Sequence, residues 1–267
     1  MQCGEPSEMD TIRRKKNKAK MKRIFLFVMV VLMATTAVQA QKMRVMSFNV
    51  RNCKGMDNKF DFDRTASVIN EAKPTFVAVQ ELDSMTTRNN HYVLGELARR
   101  TGYNDYYAPT INFRGGKYGI GVLSKEKALS VERYPLPCRR EPRAMIVVEF
   151  KSCYLICTHL SLNKEDQLSS VKIIRGVVEK LQKPVFVVGD INAKPETQTI
   201  AAFKEFMEVL SDSTQFTYNS VKPSRCIDYV FGCGARFVKP RTTVVDNRVA
   251  SDHRPLYVDL KMKRKKR

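Results

Sequence analysis

Four short, mostly apolar runs recur along the chain: VMSF, FVAV, YLIC and VFVV. Each is closed within two residues by a polar side chain. Such runs are far too short to cross a bilayer and too uniformly apolar for a strand with one wet face. They read as strands buried on both faces, which require a covering layer on each side. The side chains that close them are Asn49, Glu81, His159 and Asp190, with Asn192 two positions further on. A strand end delivers its side chain to the rim of a rigid sheet, where binding and catalytic groups are commonly placed.

Helical patterns alternate with these strands. Asp63 is expected to cap a helix carrying Ala66, Ile69 and Ala72 on one face and ended by Pro74. Tyr92 to Arg100 reads as a second helix stopped by Gly102. Asn163 caps a longer one reaching Lys180, and Pro195 opens another through about Met207. Further strands are expected at 43–50, 119–124, 129–134, 144–150, 153–159, 227–231, 237–245 and 256–260. No repeat or linker divides this body, so 41–260 reads as one α/β domain. With 43% hydrophobic residues it has ample core material, which excludes a disordered chain.

The ends differ from the body. Met21-Lys22-Arg23, the apolar run Ile24 to Val38 and the small residues before Ala40 have the three parts of a secretory signal. Residues 1–40 are therefore expected to be a leader cut near Ala40. An uncleaved anchor is the alternative. The mature protein is placed outside the cytoplasm, in the periplasm, in the envelope or secreted. No Cys follows the cut, which argues against a lipoprotein. The net charge of +20 is unevenly spread: eight basic and three acidic residues lie in 1–40. Another six basic residues lie in the tail KMKRKKR (261–267), leaving +9 for 41–260. The tail reads as a solvated end that could also hold an anionic partner. Beyond the leader, Cys53, Cys138, Cys153, Cys157, Cys226 and Cys233 remain. They permit disulfides without selecting a pairing, and Cys153 and Cys157 read equally well as buried thiols.

Eight segments carry the chemistry: SFNVR (47–51), VQELD (79–83), GKYGIGVLSK (116–125), EPRA (141–144), THLSL (158–162), GDINAKPE (189–196), RCIDYVF (225–231) and SDHRPL (251–256). Any one is weak, but in this order they resemble the endonuclease/exonuclease/phosphatase superfamily, the DNase I-like metal-dependent phosphoesterases. The resemblance spans nearly the whole body. It implies a four-layer α/β/β/α sandwich, with two mixed sheets face to face and helices outside. It further implies Mg²⁺, with Mn²⁺ or Ca²⁺ able to substitute, held by Glu81 with Asn49 and Asp252 beside it. Asp190 matches the residue that orients or deprotonates the attacking water, and Asn192 one that contacts the phosphoryl oxygens. His253 matches a histidine beside the phosphate whose tautomer Asp228 fixes, and His159 a group assisting the leaving oxygen. Arg143 is a candidate bidentate phosphate contact, and Tyr118 a candidate phosphate ligand. Cys226 stands where a broad group of similar bacterial hydrolases often has Arg.

The chemistry is coherent without the name. Hydrolysis of a phosphate ester needs an activated water, charge relief on the phosphoryl oxygens and a stabilised leaving group. A metal with imidazoles and carboxylates supplies all three. The G-x-S-x-G, H-E-x-x-H and G-x-x-x-x-G-K-[ST] motifs of rival chemistries are absent. The expected activity is that of a phosphodiesterase acting as a monomer on nucleic acid, a phospholipid head group or a small diester. The alternatives are a phosphomonoesterase of lipid or inositol phosphates and a non-catalytic anion-binding module. Branch-specific motifs of the inositol phosphatases, abasic-site nucleases and sphingomyelinases are not found.

Overall fold

The computed structural model describes residues 41–264 and scattered positions before Lys22. The expected signal and the last tail residues lie outside the described residues. Among those described, no helix is long and apolar enough to cross a membrane.

The chain builds two sheets, each around one parallel βαβ unit. In the first unit β1 (Gln41–Asn49) leads through α1 (Phe62–Ala72) to β2 (Phe76–Thr86). The sheet continues with β3 (Asn89–Tyr92), then, after α2 (Val93–Thr101), with β4 (Asn104–Phe113) and β5 (Gly116–Ser124). Next come β6 (Ser130–Leu136), β7 (Arg143–Glu149) and the second unit: β8 (Tyr154–His159), α3 (Lys164–Val178) and β9 (Val185–Asp190). After α4 (Gln198–Lys204) come β10 (Glu208–Val209), β11 (Asp228–Cys233), β12 (Ala235–Val244) and β13 (Leu256–Arg264). Strand order is β12-β13-β1-β2-β5-β4 in one sheet, with β3 on β2, and β10-β11-β9-β8-β7-β6 in the other.

Three apolar layers follow from the both-faces-buried strands. Val45, Phe76, Ala78 and Val122 of the first sheet meet Ile146, Leu155, Phe186 and Val188 of the second. The alternate positions Met46, Val77 and Val79 face Ile69 of α1 and Leu94 and Leu97 of α2. Ile156, Val187 and Phe231 face Val171 and Ile174 of α3 and Phe203 of α4. The result is the expected four-layer α/β/β/α sandwich.

Local chemistry sets the details. Asn163 caps α3 as expected, its Oδ1 accepting from the Glu165 and Asp166 N–H groups at 3.0 and 3.2 Å. The α1 cap is Asp61, two residues before the expected Asp63, because its carboxylate accepts from Arg64 N–H at 2.8 Å. The α4 helix starts at Gln198, so Pro195 belongs to the preceding turn. β4 was not legible because its residues NDYYAPTINF are mostly half-exposed and carry a proline, as suits an edge strand. β13 runs past Leu260 to Arg264, with Met262 buried in the inter-sheet core. Part of the expected tail is therefore strand.

Cys53, Cys138, Cys153, Cys157 and Cys226 carry free thiols. Burial pushes Cys53, Cys153, Cys157 and Cys226 up to about 12. At the partly exposed Cys138, burial is outweighed by the Ser161 hydroxyl, the Arg140 and Glu141 N–H groups and Arg143, which lower its pKa. Alkylation of the native protein followed by mass mapping is expected to modify Cys138 at neutral pH. The four raised thiols should react only after unfolding. A second test concerns Gly189, at φ 151°, where an added Cβ would lie 1.9 Å from Thr158 O on the neighbouring strand. Gly189→Ala is expected to destabilise the protein by about 3 kcal/mol in denaturant unfolding.

Candidate active site

Both parallel pairs point their carboxyl ends to the same rim. There β1 ends at Asn49, β8 at His159 and β9 at Asp190, while Glu81 lies on β2 just past the Asn49–Gln80 pairing. Asp228 opens β11 directly opposite Asp190 in the ladder, and the loop before β13 brings Asp252 and His253. Ser251 Oγ donates to Asn49 O at 2.7 Å and so ties that loop to β1. A cleft of about 260 Å³ is lined by Glu81, Tyr118, Arg143, His159, Asp190, Asn192, Asp252 and His253. The structure therefore brings the sequence candidates together, with Asn49 and Asp228 hydrogen-bonded directly behind the lining.

Glu81 is not at a strand end as expected. β2 continues to Thr86, and a bulge between Val79 and Leu82 places Glu81 at φ 61°. Bulges re-aim a side chain, and a left-handed non-glycine residue is a strained one. The adjoining turn Arg51–Cys53 is also left-handed, at φ 46°, 57° and 56°. Behind it Asp83 is fully buried and held by Arg88 (Nε–Oδ2 and Nη2–Oδ1, both 2.7 Å), Asn52 and Thr86. Asp83, Arg88 and Asn52 carried no sequence signal, since their role is to fix the backbone under the bulge.

Asp190 is the hub of the polar network. Its Oδ1 accepts from Asn192 N–H at 3.0 Å. Its Oδ2 lies 3.2 Å from Asn49 Nδ2, 3.4 Å from His159 Nε2 and 3.5 Å from His253 Nε2. His253 Nδ1 is 2.9 Å from Asp228 Oδ2, so one imidazole spans two carboxylates. Burial alone would lower the His253 pKa, but Asp228 and Asp190 raise it to about 10. His253 is thus an imidazolium at neutral pH. Burial holds Asp190 above the ordinary carboxylate range, against the pull of His253.

His159 behaves oppositely. Burial, with Arg143 and His253 nearby, keeps it well below the usual imidazole range. Arg143 Nη1, which can only donate, lies 3.4 Å from His159 Nδ1. That assigns the remaining proton to Nε2, which faces Asp190. Arg143 also pairs with Glu141 at 2.7 Å, while its buried Nε has no partner. Burial pushes the Tyr118 phenol up, so it stays a neutral donor.

Two sets of groups carry ligand atoms for a cation. Asp190, Asp228 and His253 each bring one ligand-type atom within 4.8 Å of the others, but a cation there would require His253 to give up its extra proton, so the imidazolium already fills that place. In Glu81, Oε1 accepts from Asn49 Nδ2 at 3.0 Å, and among the described residues Oε2 has no hydrogen-bond partner. Burial raises the Glu81 pKa, and the Asp252 carboxylate adds to the rise. Paired oxygen donors at this cost suit a hard divalent cation. Asn49 turns its NH₂ to Glu81 and Asp190 and its Oδ1 accepts from Arg51 N–H at 3.1 Å. Asn192 lines the cleft, its Nδ2 donating to Leu160 O at 3.0 Å.

Tyr218 and Arg225 also line the cleft and were not anticipated. Tyr218 packs on His253 with ring centroids 4.9 Å apart, and Arg225 lies over Tyr218 at 4.5 Å. Cys226 is buried, so the basic group missing from its position is supplied by the residue before it. Arginine-lined hollows flank the cleft. One of about 410 Å³ shares Glu81 and is lined by Arg51, Lys54, Arg88 and Arg114. The other, about 610 Å³, shares Arg143 and is lined by Arg139 and Arg140, with the acids Glu141 and Asp166 beside them.

Comparison with known proteins agrees with this architecture. Among curated proteins, none matches the chain in sequence. An endonuclease/exonuclease/phosphatase from Beutenbergia cavernae superposes with a TM-score of 0.71 at 20% identity, covering 84% of this chain and 72% of that one. A protein of the same description from Bacteroides vulgatus gives 0.70 at 18%, covering 84% and 100%. A mannosyl-6-phosphatase from Bacteroides thetaiotaomicron gives 0.67 at 16%, covering 82% and 99%. The model of the Endonuclease/Exonuclease/phosphatase family matches residues 46–253. The chain accordingly belongs to the endonuclease/exonuclease/phosphatase family of phosphoesterases.

Proposed function

We propose that this protein is an exported, Mg²⁺-dependent phosphodiesterase that attacks phosphorus with water. The observation that carries the reading is the His253 ring held between Asp228 and Asp190 beside Glu81 and Asp252 in one cleft. Glu81 and Asp252 are the residues that would hold the metal. A divalent cation there would neutralise the phosphoryl oxygens and orient the ester.

The protein's own groups divide the remaining work. Burial makes Asp190 a stronger base than an ordinary carboxylate, and four donors fix its orientation. It takes the proton of the attacking water. His253, kept cationic by Asp228 at Nδ1, shares its Nε2–H between Asp190 and a phosphoryl oxygen, where negative charge develops. Arg143, whose side chain lines the cleft, adds a second donor. His159 is neutral and holds Asp190 from the other side; as the new P–O bond forms, the P–O bond to the leaving alcohol breaks, and that oxygen takes a proton from solvent.

The arginine-lined hollows on both sides of the cleft favour a diester, which extends beyond phosphorus in two directions. A monoester leaves one of them unused. The structural likeness to a mannosyl-6-phosphatase supports the monoester alternative, and one assay separates the two.

With Mg²⁺, bis-p-nitrophenyl phosphate is expected to be hydrolysed at least tenfold faster than p-nitrophenyl phosphate, and EDTA to abolish the activity until Mg²⁺ is restored. A preference for the monoester would replace the diester reading, and turnover in EDTA would remove the metal from the mechanism. His253→Ala and Asp190→Ala should each lower kcat by about 10³-fold, within the range of positioned acid–base groups. Mg²⁺ should raise the melting midpoint of the wild type but not of Glu81→Gln/Asp252→Asn, a readout independent of turnover.

A further inference from the structure

The largest hollow described here lies away from the cleft. About 730 Å³ in volume, it is lined by Lys42, Arg44, Lys73, Lys239, Arg241 and Lys261, with a single acid, Asp259. That acid is already taken: Arg44 Nε and Nη2 each contact an Asp259 oxygen at 2.8 Å. Arg44 also stacks on Tyr257 at 4.1 Å. The other five cations are exposed and make no ion pair among the described residues.

The sheet itself assembles this face. Lys42 stands directly opposite Lys261 in the β1–β13 ladder. Like charges facing each other across a ladder are unfavourable in an isolated sheet, and an anion between them reverses the sign. The β12 bulge between Val238 and Arg241 puts Lys239 at φ 49° and adds both Lys239 and Arg241 to the same hollow. Lys73 follows α1 and precedes β2. All six therefore gather at the ends of the strands opposite the catalytic rim. Lys42 is separated from Asn49 by most of β1, about 23 Å at the usual strand rise.

We infer that this corner docks on an anionic phospholipid surface. Its cations are mostly lysines, mobile point charges that suit a fluid array of head-group phosphates better than a fixed bidentate ligand. Where the leader is kept as an anchor, the apolar run Ile24 to Val38 precedes β1, and basic residues 265–267 follow β13; where it is cut, the corner and those last residues are the membrane signal that remains. An apolar segment combined with a polybasic surface is the two-signal arrangement that gives lasting membrane attachment. Docking by this corner leaves the opposite rim open to substrate.

The test is sedimentation of the full chain with phosphatidylcholine vesicles, with and without phosphatidylglycerol, at about 0.15 M salt. Phosphatidylglycerol is expected to increase binding, and salt to remove the increase. Lys42→Glu/Lys239→Glu/Arg241→Glu leaves the apolar run and the tail intact. It should cut the phosphatidylglycerol-dependent binding about tenfold or more, with binding to phosphatidylcholine and the melting midpoint unchanged. If the triple variant melts early, Lys42→Glu and Lys239→Glu are read singly, each expected to lower binding about threefold. Binding indifferent to phosphatidylglycerol, or undiminished in the variants, overturns the proposal. So does tighter binding to duplex DNA at the same salt that the triple variant loses, which would assign the corner to nucleic acid. Each outcome is read from binding and so stands apart from the phosphodiesterase assay.

Discussion

One imidazole joins the two sheets electrostatically. Asp190 and Asp228 belong to the second sheet, and a carboxylate buried in the rim without a partner is costly. His253 approaches from the loop before β13, in the first sheet, and supplies that partner to both. Asn49, also of the first sheet, reaches across to the same Asp190 oxygen. The inter-sheet core brings the sheets into register. The polar network at its upper edge then determines how closely the rims approach. Catalytic geometry and sheet-to-sheet contact are in this sense the same structure.

A division of protonation states follows from that arrangement. Two histidines flank one aspartate at similar distances, yet burial among cations leaves His159 neutral while two carboxylates keep His253 charged. Identical side chains are thereby given opposite tasks by their neighbours alone. Arg143 has a part in this, since its guanidinium faces His159 Nδ1 and discourages a second positive charge there.

The sequence made the centre of the molecule legible and left its edges obscure. Runs such as VFVV announce strands buried on both faces, so the layers and the residues at the rim followed from patterning and motif order. β4 stayed hidden because a half-exposed edge strand carries no strong alternation. Asp83 and Arg88 stayed hidden because a buried pair that braces backbone looks, in sequence, like any acid and base five residues apart. Arg225 opens the motif RCIDYVF and Tyr218 lies seven residues before it, yet only the packing of the tyrosine on His253 and under Arg225 distinguishes them. The basic corner drew attention only through its last member, in the terminal run, because its other cations come from segments far apart in the chain.

The bulge in β2 gives one strand two occupations. Below it, alternate side chains serve two hydrophobic layers without interruption. Above it, the phase has slipped by one, and Glu81 is turned out of the ladder while Leu82 returns to the interior. Removing one residue there would let the strand run straight, with a regular ladder and an intact sandwich. The family's architecture can thus outlive its chemistry, and the difference between an enzyme and an inert scaffold is a single irregular step in one hydrogen-bond ladder.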